Sequence, residues 1–312
     1  MNEIVGTSKT VAEQIALRPG LPSDNYTCFK IYVEALFDLT YRGGHRDSSA
    51  PPQLSDYNTM WEDFGSLYAH LKNTGAYFWV AARDDELIGY ARSTVRDGVL
   101  ELTEFFTRPS EQALGVGRAL LEHAFPRGQY QQSLIIATLD QRAQARYLKA
   151  GTYPITPVYT FGGTPHVNGV TTGLDFESIQ AAPDTLETLA KIDTLILGHR
   201  RDEDHEWLLG NRQGYLYIRR GEVVGYGYEG RFNGPFALLD KNDYPTVLTH
   251  TENEAAAQEQ DFGIDIPLAN RAAVDHMLER GHRISPFIAM IMADTTHAQF
   301  EKYILTSPQF FI

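Results

Sequence analysis

The chain has 312 residues, more than one hydrophobic core usually organises, so two domains are the first expectation. Its formal charge of −13 argues against a nucleic-acid partner held through phosphates, which needs a basic face; it suits a cationic acceptor such as an amine, and it serves solubility equally well. Its single cysteine, Cys28, rules out a disulfide within the chain and fits a reducing, cytoplasmic setting; no stretch is long and apolar enough to predict a membrane span, and the first fourteen residues carry no apolar run that would predict a signal peptide.

In chain order, Ile15–Arg18 reads as a first strand closed by Pro19-Gly20, and Pro22-Ser23-Asp24 offers a turn and a helix cap. A helix is predicted from Tyr26 to Thr40, with Phe29, Val33, Leu36 and Phe37 on one face, and a second from Asp56 to Lys72. The residues 43–52 between them read as loop. Three strands follow: Tyr77–Ala82, Glu86–Val95 and Val99–Thr107, joined by Arg83-Asp84-Asp85 and by Arg96-Asp97-Gly98, whose Asp-Gly pair signals a hairpin. Then come a polar turn, Arg108–Glu111, and Gln112-Ala113-Leu114-Gly115-Val116-Gly117, which runs directly into a helix over Arg118–Phe125. Ser133–Leu139 is a buried-looking strand, Gln141–Ala150 a short helix, and Pro157–Phe161 another strand.

Strand, glycine-bearing loop and helix start together make an anion site. The first N–H groups of a helix lack internal partners, its dipole favours negative charge, and glycines let backbone approach a diphosphate closely. The loop is not a Walker phosphate loop, because no Gly-Lys-Ser/Thr follows the glycines, and not a dinucleotide fingerprint, because Leu120 stands where a third glycine belongs. It fits Gln/Arg-x-x-Gly-x-Gly/Ala and resembles the acyl-coenzyme A pyrophosphate loop of the GNAT N-acetyltransferases. The order β-α-α-β-β-β-α-β-α-β over residues 15–163 is that of the same family. The resemblance implies a mixed-sheet α/β fold and a donor, acetyl-coenzyme A, held by Gln112, Ala113, Leu114, Gly115, Val116, Gly117, Arg118 and Ala119. It also implies that β-strand backbone at Phe105, Phe106 and Thr107 bonds the pantetheine amides where the strand parts from its neighbour.

The family often carries Asn-x-x-Ala-x-x-x-Tyr ahead of a Gly-Phe. Here the stretch reads Asp140-Gln141-Arg142-Ala143-Gln144-Ala145-Arg146-Tyr147, then Gly151-Thr152. Asp140, Ala143 and Tyr147 are thereby implied to lie at the coenzyme, with Asp140 in place of the asparagine and Thr152 in place of the phenylalanine. Tyr147 becomes the candidate proton donor to the leaving thiolate, or else a packed ring with a satisfied hydroxyl. The family also places a carboxylate base on the strand before the loop. Glu104 and Glu101 are the candidates, and Glu104 is preferred because it lies among large apolar residues; a merely paired carboxylate is the competing reading. Simple alternation would point Leu102, Glu104 and Phe106 one way and Thr103, Phe105 and Thr107 the other. The link between the first two helices borders the family's acceptor pocket, so His45, Arg46 and Asp47 are candidates to touch the acceptor, or simply solvated.

Residues 164–183 read as a link, within which Leu174-Asp175-Phe176 is a candidate strand. Asp184 is predicted to cap a helix reaching Leu197, and Glu203–Gly210 to form another. Tyr215–Arg219 and Val223–Glu229 form a hairpin, Phe236–Leu239 a strand, Glu252–Gln260 a helix, Asp261–Leu268 a strand, Ala272–Arg280 a helix and Ile284–Met292 a strand. That order repeats the first half, so the expectation is two tandem GNAT-like domains, 1–170 and 171–312, each a mostly antiparallel sheet flanked by helices. The second is degenerate: Leu239–Pro245 supplies no glycine loop, and this half is expected to bind no coenzyme, serving instead to wall the acceptor pocket or to make a homodimer. No histidine or cysteine spacing predicts a metal. The function implied is an acyl-coenzyme A-dependent N-acyltransferase, an N-acetyltransferase in the first instance, acting by direct attack of a small-molecule or peptide amine. A non-catalytic coenzyme-binding or regulatory module is the rival from another class, and a structural dimer binding no coenzyme is the third.

Overall fold

Three two-residue turns set the hairpin registers of this chain. Asp84-Asp85, Asp97-Gly98 and Arg220-Gly221 all have positive φ at both positions, the geometry whose twist matches that of paired strands. The computed structural model describes residues 15–45, 53–112, 115–167 and 173–307. The first half contains β1 (Ala16–Pro19), α1 (Asn25–Arg42), α2 (Leu54–Thr74), β2 (Gly75–Arg83), β3 (Glu86–Arg96), β4 (Val99–Thr107), α3 (Val116–Ala124), β5 (Gln132–Thr138), α4 (Gln141–Lys149) and β6 (Tyr153–Gly163). The second contains β7 (Asp175–Ser178), α5 (Pro183–Ile196), α6 (Asp202–Leu209), β8 (Gln213–Arg219), β9 (Glu222–Glu229), β10 (Phe236–Leu238), α7 (Tyr244–Ala257), β11 (Phe262–Pro267), α8 (Arg271–Glu279), β12 (Arg283–Ala293) and β13 (Tyr303–Ile304).

The sheets do not divide one to a half. One sheet of eight strands runs β1-β2-β3-β4-β5-β12-β6-β11, and a second of five runs β13-β10-β9-β8-β7. Each half therefore lends its last long strand to the other. β12 lies antiparallel on β5, with Ala289 opposite Thr138, and β6 lies between β12 and β11, with Ile264 opposite Phe161. β6 is eleven residues long, more than twice the strand its sequence predicts, because it has a partner along both edges.

Helices cover both faces. α1 and α2 bury Phe29, Val33, Leu67 and Tyr68 against Val80 and Tyr90. α3 buries Val116, Leu120 and Ala124 against Leu100 and Leu102 on the other face. A shared core joins the halves, in which Val99, Leu134 and Ile291 of the large sheet meet Ile192 and Ile196 of α5 and Tyr226 and Tyr228 of β9. A buried ion cluster crosses the same boundary: Asp204 of α6 takes His70 Nε2 of α2 at 2.7 Å and the guanidinium of Arg96 of β3 at 2.7 and 2.9 Å.

Two helix starts differ from expectation. α5 begins at Pro183 with Ala182 at its cap, so Asp184 sits in the first turn rather than capping. α7 begins eight residues before the predicted Glu252, because Pro245 occupies its first turn, where a missing N–H costs nothing. β13 is a strand that the sequence did not lead one to expect.

Candidate active site

β4 and β5 are parallel partners only from Val99 to Leu102, opposite Gln132 to Ile135. Beyond Leu102 they part. The cause is one extra residue: Arg92 faces Glu104 while the next residue of β3, Ser93, faces Leu102, so Thr103 is a bulge, fastened by its Oγ1 to Arg92 O at 3.0 Å. The bulge also breaks the simple alternation. Leu102 turns to the α3 side with Phe105, not to the side of Glu104 and Phe106. From Thr103 to Thr107 the edge of β4 that faces β5 carries no strand partner among the described residues, and a cleft of ≈ 290 Å³ opens there.

Most of the expected residues meet in this cleft. Phe105, Phe106, Thr107, Gln112, Gly117, Asp140, Ala143 and Tyr147 all line it. Gly115 caps α3 with φ +83°, a left-handed conformation that favours glycine, and accepts Arg118 N at 3.0 Å and Ala119 N at 3.3 Å. Gly117 is needed for a different reason: a Cβ there would meet Phe105 Cζ at 3.1 Å and Arg146 Nε at 3.4 Å. Val116 points into the core, and Arg118 pairs with Glu122 at 2.8 Å on an exposed face, so the two contribute backbone rather than side chain to the helix start. Ala113 and Leu114 lie outside the described residues, as do Arg46 and Asp47; His45 is an exposed turn residue at the end of α1.

Asp140 caps α4, its Oδ1 accepting Arg142 N at 2.9 Å, and its Oδ2 binds Arg42 of α1 and Arg142, both at 2.9 Å. Burial would raise this carboxyl, but the hydrogen bonds from Arg142 and Arg42 prevail and hold it well below the usual carboxylate range. Tyr147 is 6 % exposed, with its ring edge-on to Phe105 at 6.0 Å. Burial raises its hydroxyl above the ordinary phenol range, offset only in part by the Arg146 charge, so at neutral pH it is a donor.

The two carboxylate candidates are placed differently from expectation. Glu101 lies in the paired part of β4, ahead of the cleft and 4 % exposed. Glu104 is 2 % exposed beneath α1 and α2, accepts Tyr90 Oη at 2.8 Å and faces Arg92 Nε at 3.4 Å. Its surroundings are thus charged and hydrogen-bonded as well as apolar. It does not line the cleft, and direct contact with an amine there is not what the geometry offers.

One site residue went unread in the sequence. Arg146 lines the cleft beside Gly117 and the start of α3, and its Nη1 donates only to Arg142 O, at 3.2 Å; it makes no salt bridge among the described residues. An arginine next to a helix N-terminus is an arrangement that suits a diphosphate. Its position one residue before Tyr147 was the available signal. Together, an open strand edge, a left-handed glycine cap, a glycine with no room for a side chain and an uncommitted guanidinium fit a coenzyme A thioester. No group of three or more His, Cys, Asp or Glu suited to a metal occurs among the described residues, and none of their helices is long and apolar enough to cross a membrane.

Comparison with known proteins agrees with this geometry. A search of curated protein sequences finds no match. Among solved structures, a candidate acetyltransferase of Pyrococcus horikoshii superposes with a TM-score of 0.69 at 16% identity, over 93% of this chain and 92% of that one. A tandem GNAT protein from the clavulanic acid biosynthesis pathway gives 0.57 at 13% identity, over 90% and 98%. A GCN5-related N-acetyltransferase from Sphaerobacter thermophilus gives 0.56 at 13% identity, over 89% and 95%. These likenesses establish the fold, in which both halves take part. Residues 34–151, which hold the cleft, the glycine loop and Tyr147, match the model of the acetyltransferase (GNAT) family.

Proposed function

We propose that this protein is an acyl-coenzyme A-dependent N-acyltransferase, with acetyl-coenzyme A as donor and an amine as acceptor, and that only the first half binds the donor. The observation that carries this reading is the parting of β4 from β5 at Thr103, directly beside a glycine-capped helix start. When bound, the thioester supplies an activated acyl carbon. The protein supplies the rest. The open edge of β4 from Thr103 to Thr107 offers N–H and C=O groups to amides. The start of α3, with Gly115, Gly117 and Arg146, holds a diphosphate. Tyr147, kept protonated by burial, gives a proton to sulfur as the thiolate leaves. Fixing the two reactants in one cleft contributes orientation. Glu104 is left as a base acting through an intervening water, since its carboxylate is turned toward Arg92 and Tyr90.

The burial of Glu104 favours one alternative, a non-catalytic coenzyme-binding module built on the same cleft. A panel of small amines and peptides with acetyl-coenzyme A, read by thiol release, separates the two. Acceptor-dependent release is expected. A protein that binds one coenzyme yet releases no thiol above the hydrolytic background with any amine would support the module and overturn the enzyme.

A further inference from the structure

The second half holds a counterpart of the cleft, and it is filled. Its β10 and β11 correspond to β4 and β5, and they do not pair with each other. Between them lies β13. Tyr303 and Ile304 are antiparallel to Ala237 and Phe236 of β10, and Leu305 N donates to Asp265 O of β11 at 3.1 Å. Ser307 N donates to Asn233 O at 3.0 Å, and Arg212 Nη2 to Ser307 O at 2.7 Å. A side chain on Gly234 would collide with the Leu305 carbonyl. The three apolar side chains are wholly buried and alternate between two cores: Tyr303 and Leu305 enter the core shared by the halves, Ile304 the core under α7 and α8.

The correspondence extends to the helix that follows. α8 is capped by Asn270, with Ala273 three and Met277 seven residues on, the same spacing as Asp140, Ala143 and Tyr147. Asn270 Nδ2 donates to Tyr303 O at 3.3 Å, so the helix-cap residue of the second cleft is spent on this strand. Met277 offers no proton, and Asp240 and Asp243 stand before α7 where the first half has its glycines.

We propose that the second half is a strand-binding cleft whose ligand is an extended apolar peptide, here the chain's own residues 303–307, seated where the first half leaves a slot for its donor. Backbone pairing along an open sheet edge gives such a site its affinity, and alternating pockets for Tyr303, Ile304 and Leu305 give it specificity. The likeness to a donor cleft rests on the acyltransferase reading; the strand binding does not.

A protease recognition sequence inserted between Thr296 and His297, cut after the full chain has folded, tests it. The fragment from His297 onward should stay with the body through gel filtration. An excess of synthetic peptide of the same sequence should displace it, and the same peptide carrying Ile304→Asp should not, even at 100-fold higher concentration. Equal displacement by both peptides, or loss of the fragment with undiminished hydrogen-exchange protection of residues 236–238, would overturn the proposal. If the cut chain unfolds, the uncut chain decides: the amides of 304–305 and 236–238 should open as one unit, and exchange at Leu305 more than 100-fold faster than in β10 would overturn it. Coenzyme titration of the same sample reports separately on the first half, where no binding at all would sink the acyltransferase reading and leave the strand result standing.

Discussion

Two gaps between strands, built on the same order of elements, have opposite contents. Between β4 and β5 no described strand fills the space beyond Leu102; between β10 and β11 the space is taken by β13. The elements that frame the gaps are alike, and the difference lies in a few residues. The first half has the Thr103 bulge, Gly115 and Gly117, Arg146 with no salt bridge among the described residues, and Tyr147. The second has Asp240 and Asp243 before its helix, Asn270 fastened to a peptide carbonyl, and Met277. Two gaps framed by the same order of elements thus differ in the glycines and charges beside them.

The largest expected effect removes that distinction. Replacing Gly115 and Gly117 together with valine forces a β-branched residue into a left-handed conformation and drives a side chain into Phe105 and Arg146. Coenzyme binding by calorimetry should fall from one per chain to none, while circular dichroism stays that of the parent. Unchanged affinity in a folded double variant would mean that this helix start holds no diphosphate.

Tyr147→Phe tests chemistry rather than binding. Loss of a general acid lowers kcat by roughly 10²–10⁴-fold, with coenzyme affinity nearly unchanged because the ring and its contact with Phe105 remain. Burial raises this hydroxyl, so the donor form persists as pH rises through the ordinary tyrosine value of about 10. The kcat of the parent should therefore not fall on the alkaline side where an unperturbed tyrosine would ionise. A phenylalanine variant with parental kcat across the pH range would reduce Tyr147 to packing.

What could be read from the sequence follows the range of the interactions concerned. The hairpins were legible because Asp84-Asp85 and Asp97-Gly98 are local devices, and the glycine loop because its chemistry sits within six residues. The Thr103 bulge was not, since one inserted residue changes neither composition nor propensity, yet it decides which way Leu102 and Glu104 face. The exchange of β6 and β12 was equally hidden: each is a largely apolar run with a strand along both edges, and nothing in such a run names its partner. β13 is two residues long and paired to a strand some 65 residues earlier, beyond any periodic signal. The start of α7 was legible in Pro245, a residue favoured in a helix's first turn.

Whether the filled cleft acts as a rigid buttress for the open one turns on the buried cluster of Asp204, His70 and Arg96. Asp204→Ala leaves the Arg96 guanidinium buried without its carboxylate and should destabilise the chain by about 3–5 kcal/mol in urea unfolding. Burial would raise the Asp204 carboxyl, but the hydrogen bonds from His70 and Arg96 lower it to about 2. Its stabilising contribution is then complete above the unfolded carboxylate value of about 4 and is lost as pH falls toward 2. The difference between parent and variant should accordingly shrink over that acid window. A difference that stays constant from pH 7 to pH 2 would show that the carboxylate is not what joins the halves.

The smallest expected effect converts a residue of the open cleft into its counterpart in the filled one. Asp140→Asn keeps the cap of α4, because asparagine and aspartate serve equally at that position. It gives up the pairs with Arg42 and Arg142, which are partly exposed and therefore worth no more than about 1 kcal/mol between them. In exchange it presents an amide N–H to the cleft, the group with which Asn270 holds the Tyr303 carbonyl on the other side of the molecule. One hydrogen bond of roughly 0.5–1.5 kcal/mol corresponds to a coenzyme affinity about two- to tenfold tighter. Thermal unfolding should shift by only a few degrees, and calorimetry should show the modest gain. If affinity instead drops tenfold or more, the carboxylate is needed to hold Arg42 and Arg142 in place at the rim, and the two caps, alike in position, do different work.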